Sequence, residues 1–138
     1  EFPFTKAIKA QTKLVMISNA TYPALDRKLP ASMSPGIIGG ELHDRLGYDG
    51  ATITDALDAG GLRKIGGIPR QGVQGTRAGA DLLLFSKQTL NEGVKGSKAL
   101  RRGVREGRLD RDEYEKSALR VLGLRNELSA VPGTKLPG

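Results

Sequence analysis

The sequence predicts an α/β fold in which short strands and helices alternate along one chain. Residues 14–17 and 81–85 form compact apolar runs, typical of strands buried on both faces of a parallel sheet. Between them, the second strand in chain order is predicted at residues 51–54, after a glycine, so that residues 81–85 are the third. Because helical patterns separate the three runs, the connections should be right-handed crossovers between parallel strands.

Apolar periodicity and residues typical of helix ends predict five helices. Ser34 is expected to cap one of them, with Pro35 in its first turn and Gly47 beyond its end. Asp110 and Glu113 have the spacing of a capping box at the start of the last helix. The predicted helices cover residues 4–12, 35–46, 70–78, 91–106 and 110–127.

Three strands alone would leave two unprotected sheet edges, which proteins usually cover. A complete (β/α)₈ barrel of the TIM type has about 250 residues and eight strands, whereas this chain has 138 residues. We therefore predict a partial barrel domain over residues 1–128 and a flexible tail over residues 129–138. The exposed edges are expected to pair with a missing N-terminal half of the barrel or with a second copy.

The chain is basic, with 22 Lys and Arg against 15 Asp and Glu, a net charge of +7. This charge favours acidic partners, or it reflects a solvated basic surface. The basic cluster at residues 101–111 lacks interleaved aromatic residues, so we expect no nucleic-acid partner. The absence of Cys excludes disulfides and thiolate metal sites. No apolar run approaches the ~20 residues that a membrane span needs.

Polar residues follow each predicted strand, where parallel α/β proteins carry their working side chains. Asp55 directly follows residues 51–54 and precedes a glycine-rich loop. It could serve as a catalytic carboxylate or as the cap of a following turn. Asn19 follows the first strand and could bind a sugar or form a turn. Ser86 and Lys87 follow the third strand.

Other candidate sites have weaker support. The glycine pairs at residues 60–61 and 66–67 could cradle a phosphate, but no Lys-Ser/Thr pair follows them as in a P-loop. The acidic residues lack the spacing of metal ligands, so we expect neither a metal nor a cofactor. His43, the single histidine, is interpreted as a surface or packing residue of its helix.

Several blocks occur in the order and spacing found in family-three glycoside hydrolases, and the chain resembles the bacterial β-N-acetylglucosaminidase branch of that family. The resemblance extends over roughly residues 2–124. The blocks are VMISNA at 15–20, YPALD at 22–26, PASMSP at 30–35, LGYDG at 46–50, ITDAL at 53–57 and RAGADLLL at 77–84.

The resemblance implies that Asp55 is the catalytic nucleophile that follows the seventh barrel strand. The fold would then be the C-terminal portion of a (β/α)₈ barrel, about strands six to eight with their helices. The implied reaction is retaining hydrolysis of β-linked N-acetylglucosamine glycans through a covalent glycosyl-enzyme. In this branch the acid is a histidine after the fifth strand, outside this sequence. We therefore expect the chain alone to be inactive.

Two positions depart from the family pattern. Asn19 stands where the family often has histidine, and Ala56 stands where this branch often has a second aspartate. The expected partner is a glycan substrate, and we favour a secreted or cell-wall-associated location over a cytoplasmic one. The alternative to an enzyme is a non-catalytic carbohydrate-binding or structural half-barrel module.

Overall fold

The computed structural model describes residues 2–87 and 90–130, with the side chain of Phe2 excluded. Within these residues the fold contains four α-helices, one π-helix, two short 3₁₀ turns and two strands. In chain order they are α1 (Phe2–Lys9), β1 (Leu14–Ile17), a 3₁₀ turn (Ala31–Met33), the π-helix (Gly36–Arg45), β2 (Ala51–Thr54), a second 3₁₀ turn (Gly60–Leu62), α2 (Ile68–Ala78), α3 (Asn91–Arg105) and α4 (Arg111–Ser129).

Strands β1 and β2 pair in parallel, from Leu14 opposite Ala51 to Ile17 opposite Thr54. Val15 and Ile17 point into the core, but the alternate side chains of β1 face outward. Leu14 is 39% exposed and Met16 is 57% exposed. The prediction that this strand is buried on both faces is therefore wrong for β1, because within the described residues nothing packs on its outer face.

Residues 81–85 run beside β2 without forming the predicted third strand. One parallel bridge joins Leu82 to Ile53. Two residues after Leu82, the backbone N–H of Leu84 donates to the side-chain Oγ1 of Thr54 at 3.1 Å and not to a backbone carbonyl. Because a side-chain hydroxyl replaces the backbone carbonyl as acceptor, the strand pairing ends after one bridge. Each of the five residues is partly exposed, although the side chain of Asp81 itself is buried.

These findings contradict the predicted fold class. The described residues form a two-stranded parallel sheet, and most of their regular structure is helical. A C-terminal barrel portion with strands six to eight requires three paired strands. Leu82 reaches β2 with its backbone, but the chain departs before a strand can form.

The helix signals were more successful. Ser34 Oγ accepts a hydrogen bond from the backbone N–H of Ile37 at 3.3 Å, which confirms the predicted cap. Asp110 Oδ1 accepts one from the N–H of Glu113 at 3.0 Å. The carboxylate of Glu113 pairs with Lys116. Of the tail predicted at 129–138, Ser129 belongs to α4, and residues 131–138 lie outside the described residues.

The core has two adjoining parts. The larger lies between the sheet, the π-helix and the end of α2, and its buried residues are Val15, Ile17, Ala31, Ile37, Ile38, Leu42, Tyr48, Ala78 and Ala80. The smaller contains Met33, Leu57 and Leu62, beneath the loop that follows β2. None of the helices in the described part of the chain combines the length and apolar character needed to cross a bilayer.

Glycine permits close packing between α3 and its neighbours. A Cβ on Gly96 would lie 2.8 Å from Cζ of Phe85, and a Cβ on Gly103 would lie 3.1 Å from Cδ1 of Leu109. Neither distance leaves room for a side chain without movement of the neighbour. Small residues at these two positions therefore allow α3 to pack against Phe85, Leu109 and Val73 of α2.

Candidate active site

Asp55 is the first residue after β2, and hydrogen bonds on both sides of it fix its backbone. Its N–H donates to the carbonyl of Ile17, the last residue of β1, at 2.8 Å. Its side-chain Oδ1 accepts the N–H of Ala56 at 2.7 Å. Among the described residues, Oδ2 has no hydrogen bond. The carboxylate is thus oriented through one oxygen, while the other stays free on a partly buried residue.

Asn19 links the end of β1 to the backbone just after Asp55. Its Nδ2 donates to the carbonyl of Ala56 at 2.8 Å, and its Oδ1 accepts the hydroxyl of Ser32 at 2.6 Å. Ser32 is fully buried, and its N–H donates to the carbonyl of Ser18 at 3.0 Å. We call Ser32, Asn19 and the Ala56 carbonyl the amide clamp. Asn19 remains a predicted substrate ligand, but both polar atoms of its side chain already make hydrogen bonds in the clamp.

A second polar pair joins the ends of β2 and the segment beside it. Asp58 Oδ1 accepts the N–H of Ser86 at 2.9 Å, and the Ser86 hydroxyl lies 3.0 Å from each carboxylate oxygen. These bonds from Ser86, its backbone N–H first, hold the pKa of Asp58 below its usual value, and Lys87 adds to the effect. The residues that follow β1, β2 and residues 81–85 are therefore joined by hydrogen bonds, although 81–85 does not form the predicted strand.

The long loop before the π-helix is organised by one carboxylate. Asp26 Oδ2 accepts the hydroxyl of Ser34 at 2.7 Å, and Oδ1 accepts the backbone N–H groups of Lys28 and Leu29. The Ser34 hydroxyl, followed by these two N–H groups, lowers the pKa of Asp26. This bonding fixes the path of the loop that delivers Ser32 to the clamp.

His43 lies away from Asp55, at the other end of β2. Its ring stacks on Tyr48 with 5.9 Å between centroids, and its Nδ1 lies 2.5 Å from the Tyr48 carbonyl. The Tyr48 hydroxyl donates to the carbonyl of Ala51, the first residue of β2. His43 therefore packs where β2 begins, whereas Asp55 follows its last residue. Within residues 2–87 and 90–130, no three acidic or histidine side chains are grouped as a metal site would require.

The sequence did not reveal Ser32 as part of this arrangement. It lies thirteen positions from Asn19, and no local spacing connects the two residues. The available signal was a lone hydroxyl next to two apolar residues, Ala31 and Met33, in a turn that proves to be fully buried. A buried hydroxyl needs a partner, but the sequence alone could not name Asn19.

Comparison with known proteins identifies the family. Residues 1–124 match the Glycosyl hydrolase family 3 N terminal domain. The chain is 38% identical to an "Uncharacterized secreted glycosyl hydrolase" of Arthroderma benhamiae, over 94% of this chain and 37% of that protein. It is 32% identical to a "Beta-N-acetylglucosaminidase/beta-glucosidase" of Cellulomonas fimi, over 97% of this chain and 25% of that protein.

Solved structures agree with the sequence comparison. The fold matches a glycoside hydrolase family 3 β-N-acetylglucosaminidase from Paenibacillus sp. str. FPU-7 with a TM-score of 0.88 and 33% identity. That alignment covers 99% of this chain and 26% of the Paenibacillus chain. The present chain thus spans between about a quarter and two fifths of the length of the relatives described here.

The matched region corrects the predicted position in the family. The prediction assigned the chain to the C-terminal portion of the catalytic barrel, whereas the match is to the family's N-terminal domain. Over 124 of its 138 residues the sequence matches that domain, and the relatives carry glycosidase names. The chain belongs to glycosyl hydrolase family 3.

Proposed function

We propose that this chain carries the nucleophile of a retaining β-N-acetylhexosaminidase and that Asp55 is that residue. The observation that supports the proposal is the bonding of the Asp55 carboxylate, with Oδ1 held by the Ala56 N–H and Oδ2 without a hydrogen bond among the described residues. The names of the Cellulomonas and Paenibacillus relatives support N-acetylglucosamine as the sugar. The proposed partner is therefore a β-linked N-acetylglucosamine glycan.

In the proposed mechanism, Oδ2 of Asp55 attacks the anomeric carbon of the bound sugar. The bond to the leaving oxygen breaks as that oxygen receives a proton from an acid, and a glycosyl ester forms on Asp55. Water then attacks the same carbon as the deprotonated acid accepts a proton from it, the ester bond breaks, and the sugar leaves with retained configuration. The hydrogen bond from Ala56 orients the carboxylate.

The test uses the complete gene product that contains this sequence and a chromogenic β-N-acetylglucosaminide. We expect Asp55→Asn to lower kcat/KM by about a thousandfold or more, because the amide cannot form the ester. The matched control is Asp49→Asn, an exposed carboxylate just before β2, which should change the rate little. A fluorinated substrate analogue should add its sugar mass to the peptide containing Asp55. Unchanged turnover in Asp55→Asn would refute the nucleophile assignment.

We expect the 138-residue chain by itself to show little turnover. Retaining hydrolysis needs a proton donor besides the nucleophile, and His43 lies at the opposite end of β2 from Asp55. In the family branch that the sequence resembles, the donor lies on a segment outside this sequence. Turnover by the purified chain that depends on Asp55 would contradict this expectation.

The outer edge of β1 is the proposed docking surface for further polypeptide. The sheet within the described residues has two strands, so β1 is an edge strand with exposed Leu14 and Met16. Such edges pair readily with other strands. We propose that this edge receives the missing part of the domain or a second copy of the chain. Light scattering of the chain should show association that Met16→Lys reduces, while Lys9→Glu on α1 leaves it unchanged.

The word "secreted" in the name of the Arthroderma relative supports an extracellular location for this protein. A non-catalytic role in glycan binding is the competing function. In that case, Asp55→Ala would retain full affinity for N-acetylglucosamine oligosaccharides, and neither form would label with the fluorinated analogue. Fractionation of the producing cells, with immunodetection of the protein, tests the location.

A further inference from the structure

Helices α2 and α3 form a groove whose charged lining is entirely basic. The groove has a volume of about 710 Å³. We call it the basic groove and define it by its six cationic lining residues. They are Arg70, Arg77, Lys95, Lys98, Arg102 and Arg108.

The cations form two facing rows because of their helical spacing. Arg70 and Arg77 are seven residues apart on α2, so they lie on the same face. Lys95, Lys98 and Arg102 follow the three-and-four spacing on α3 and also share a face. Like charges on opposite walls repel each other, and a bound polyanion would relieve that repulsion.

Most of this charge is not neutralised by the protein. Glu106 pairs with Arg102 and Arg108, and these contacts, that with Arg102 first, lower the pKa of the Glu106 carboxyl. Among the described residues, no carboxylate pairs with the other four cations. The groove therefore carries four uncompensated positive charges, whereas the four carboxylates of residues 110–115 cluster at the start of α4.

The uncharged lining of the groove indicates which class of polyanion it can bind. Its lining contains no aromatic side chain, and its apolar residues are small or medium in size, including Val73 and Ala99. Single-stranded nucleic acids usually bind where bases stack on aromatic rings, and this groove has none. A chain of sugars bearing carboxylates needs only regularly spaced cations and a narrow trough. Membership of a glycosyl hydrolase family also favours a polysaccharide as the polymer that the protein encounters.

We propose that the basic groove binds an acidic polysaccharide. The groove is built by α2 and α3 and contains neither Asp55 nor any residue of the amide clamp, so the inference does not rest on the proposed hydrolysis. Its effect would be to hold the protein on a negatively charged glycan matrix.

The test titrates the chain with an oligogalacturonide and, in parallel, with a neutral chitin oligosaccharide of equal length. We expect the acidic oligosaccharide to bind at ~20 mM NaCl and to weaken steadily as salt is added, because its contacts are screened. The double variant Lys95→Glu/Lys98→Glu should weaken binding about tenfold or more. The control Lys9→Glu/Arg125→Glu changes the net charge by the same amount, but at positions on α1 and α4 outside the groove. It should retain most of the affinity.

Several outcomes would overturn the proposal. Equal losses in the two double variants would show that net charge, and not the groove, attracts the ligand. Tighter binding of a single-stranded oligodeoxynucleotide, or of phosphatidylserine vesicles, would assign the groove to a different partner. Equal binding of the neutral and acidic oligosaccharides, or no binding at low salt, would refute it as well. Circular dichroism of each variant checks that the helices remain intact.

Discussion

The amide clamp makes a quantitative prediction about Asn19. Asn19→Ala would leave the Ser32 hydroxyl without its acceptor and would remove one of two donors to the Ala56 carbonyl, which keeps the N–H of Ala59. An unsatisfied buried polar group costs about 1–3 kcal/mol. Ser32 is fully buried, whereas Ala56 is only partly buried and can bond to water in part. We therefore expect the free energy of unfolding to fall by about 1–3 kcal/mol, mainly from the Ser32 hydroxyl.

The same change should affect catalysis through the position of Asp55. Ala56 is bonded both to the clamp and to the Asp55 carboxylate, so loss of the Asn19 bond loosens the backbone that orients that carboxylate, although the Ala59 N–H still donates to the same carbonyl. Misplacement of a reacting group by about 1 Å can cost a hundredfold in rate. We expect kcat of the complete gene product to fall about ten- to a hundredfold with little change in KM. Ser32→Ala leaves the bond to Ala56 in place and should have a smaller effect on kcat.

Asn19→Asp separates positioning from simple loss of stability. Ionised, the new carboxylate would face the Ala56 carbonyl, and two acceptors would repel each other. Protonated, it could donate to that carbonyl as the amide does. The deficit in kcat should therefore shrink as the pH falls through the range in which this group protonates. The control Tyr48→Phe removes one buried hydrogen bond at the other end of β2 and should lower stability without lowering kcat.

Two results would refute the positioning role of the clamp. The first is a kcat deficit in Asn19→Ala no larger than in Tyr48→Phe at equal stability. The second is a rise in KM with unchanged kcat, which would indicate that Asn19 binds the sugar directly, as the sequence first suggested. Urea unfolding and steady-state kinetics on the same preparations distinguish these cases.

Three further predictions concern stability. Gly96→Ala should cost about 1–3 kcal/mol in a urea titration, because its Cβ would lie 2.8 Å from Cζ of Phe85; Gly93→Ala, in open space on the same helix, should be neutral or stabilising. Asp81→Asn should lower the free energy of unfolding by about 2–3 kcal/mol, because the buried side chain of Asp81 bonds to both Arg120 and the Thr52 N–H. Its control is Glu127→Gln, in an exposed pair with Lys13, which should cost under about 0.5 kcal/mol. Burial, with the charges of Asp81 and Asp49, raises the pKa of Tyr48 from 10.0 to about 12. The folded state then retains a proton that the unfolded state loses, so stability should fall by about 2 kcal/mol from pH 10 to 12, and Tyr48→Phe should remove that part of the dependence.

The order of elements could be predicted because their signals are local. Apolar runs, Ser34 before Pro35 and Asp110 before Glu113 depend on a few neighbouring residues, and the observed helix ends mostly agree within two or three positions. Residues 81–85 were misassigned because their apolar run matches that of a strand. Their pairing depends on Thr54, whose hydroxyl replaces a backbone acceptor thirty positions away. Composition alone cannot show such a replacement.

The positions of the site residues could be predicted, but the hydrogen bonds among them could not. Parallel pairing brings the ends of β1 and β2 to the same edge, so Asn19 and Asp55 could be expected near each other. The bond from Ser32 depends on the path of the loop from Asp26 to Ser34, which has no regular periodicity. Family resemblance suggested a role for Asp55. It could not show that both polar atoms of the Asn19 side chain make hydrogen bonds, one with Ala56 and one with Ser32.

Among the described residues, Asp55 is held by hydrogen bonds with nearby residues of this chain, and the segment after it is joined to Leu84. Its N–H bonds to Ile17, its carboxylate bonds to Ala56, and Ala56 is held by Asn19 and, through it, Ser32. Leu57, next in the sequence, is fully buried and donates its N–H to the carbonyl of Leu84. The proposed nucleophile can thus be positioned independently of a proton donor. A chain can therefore have an intact Asp55 geometry and still lack activity because it has no proton donor. Turnover and the position of Asp55 must be measured as separate quantities.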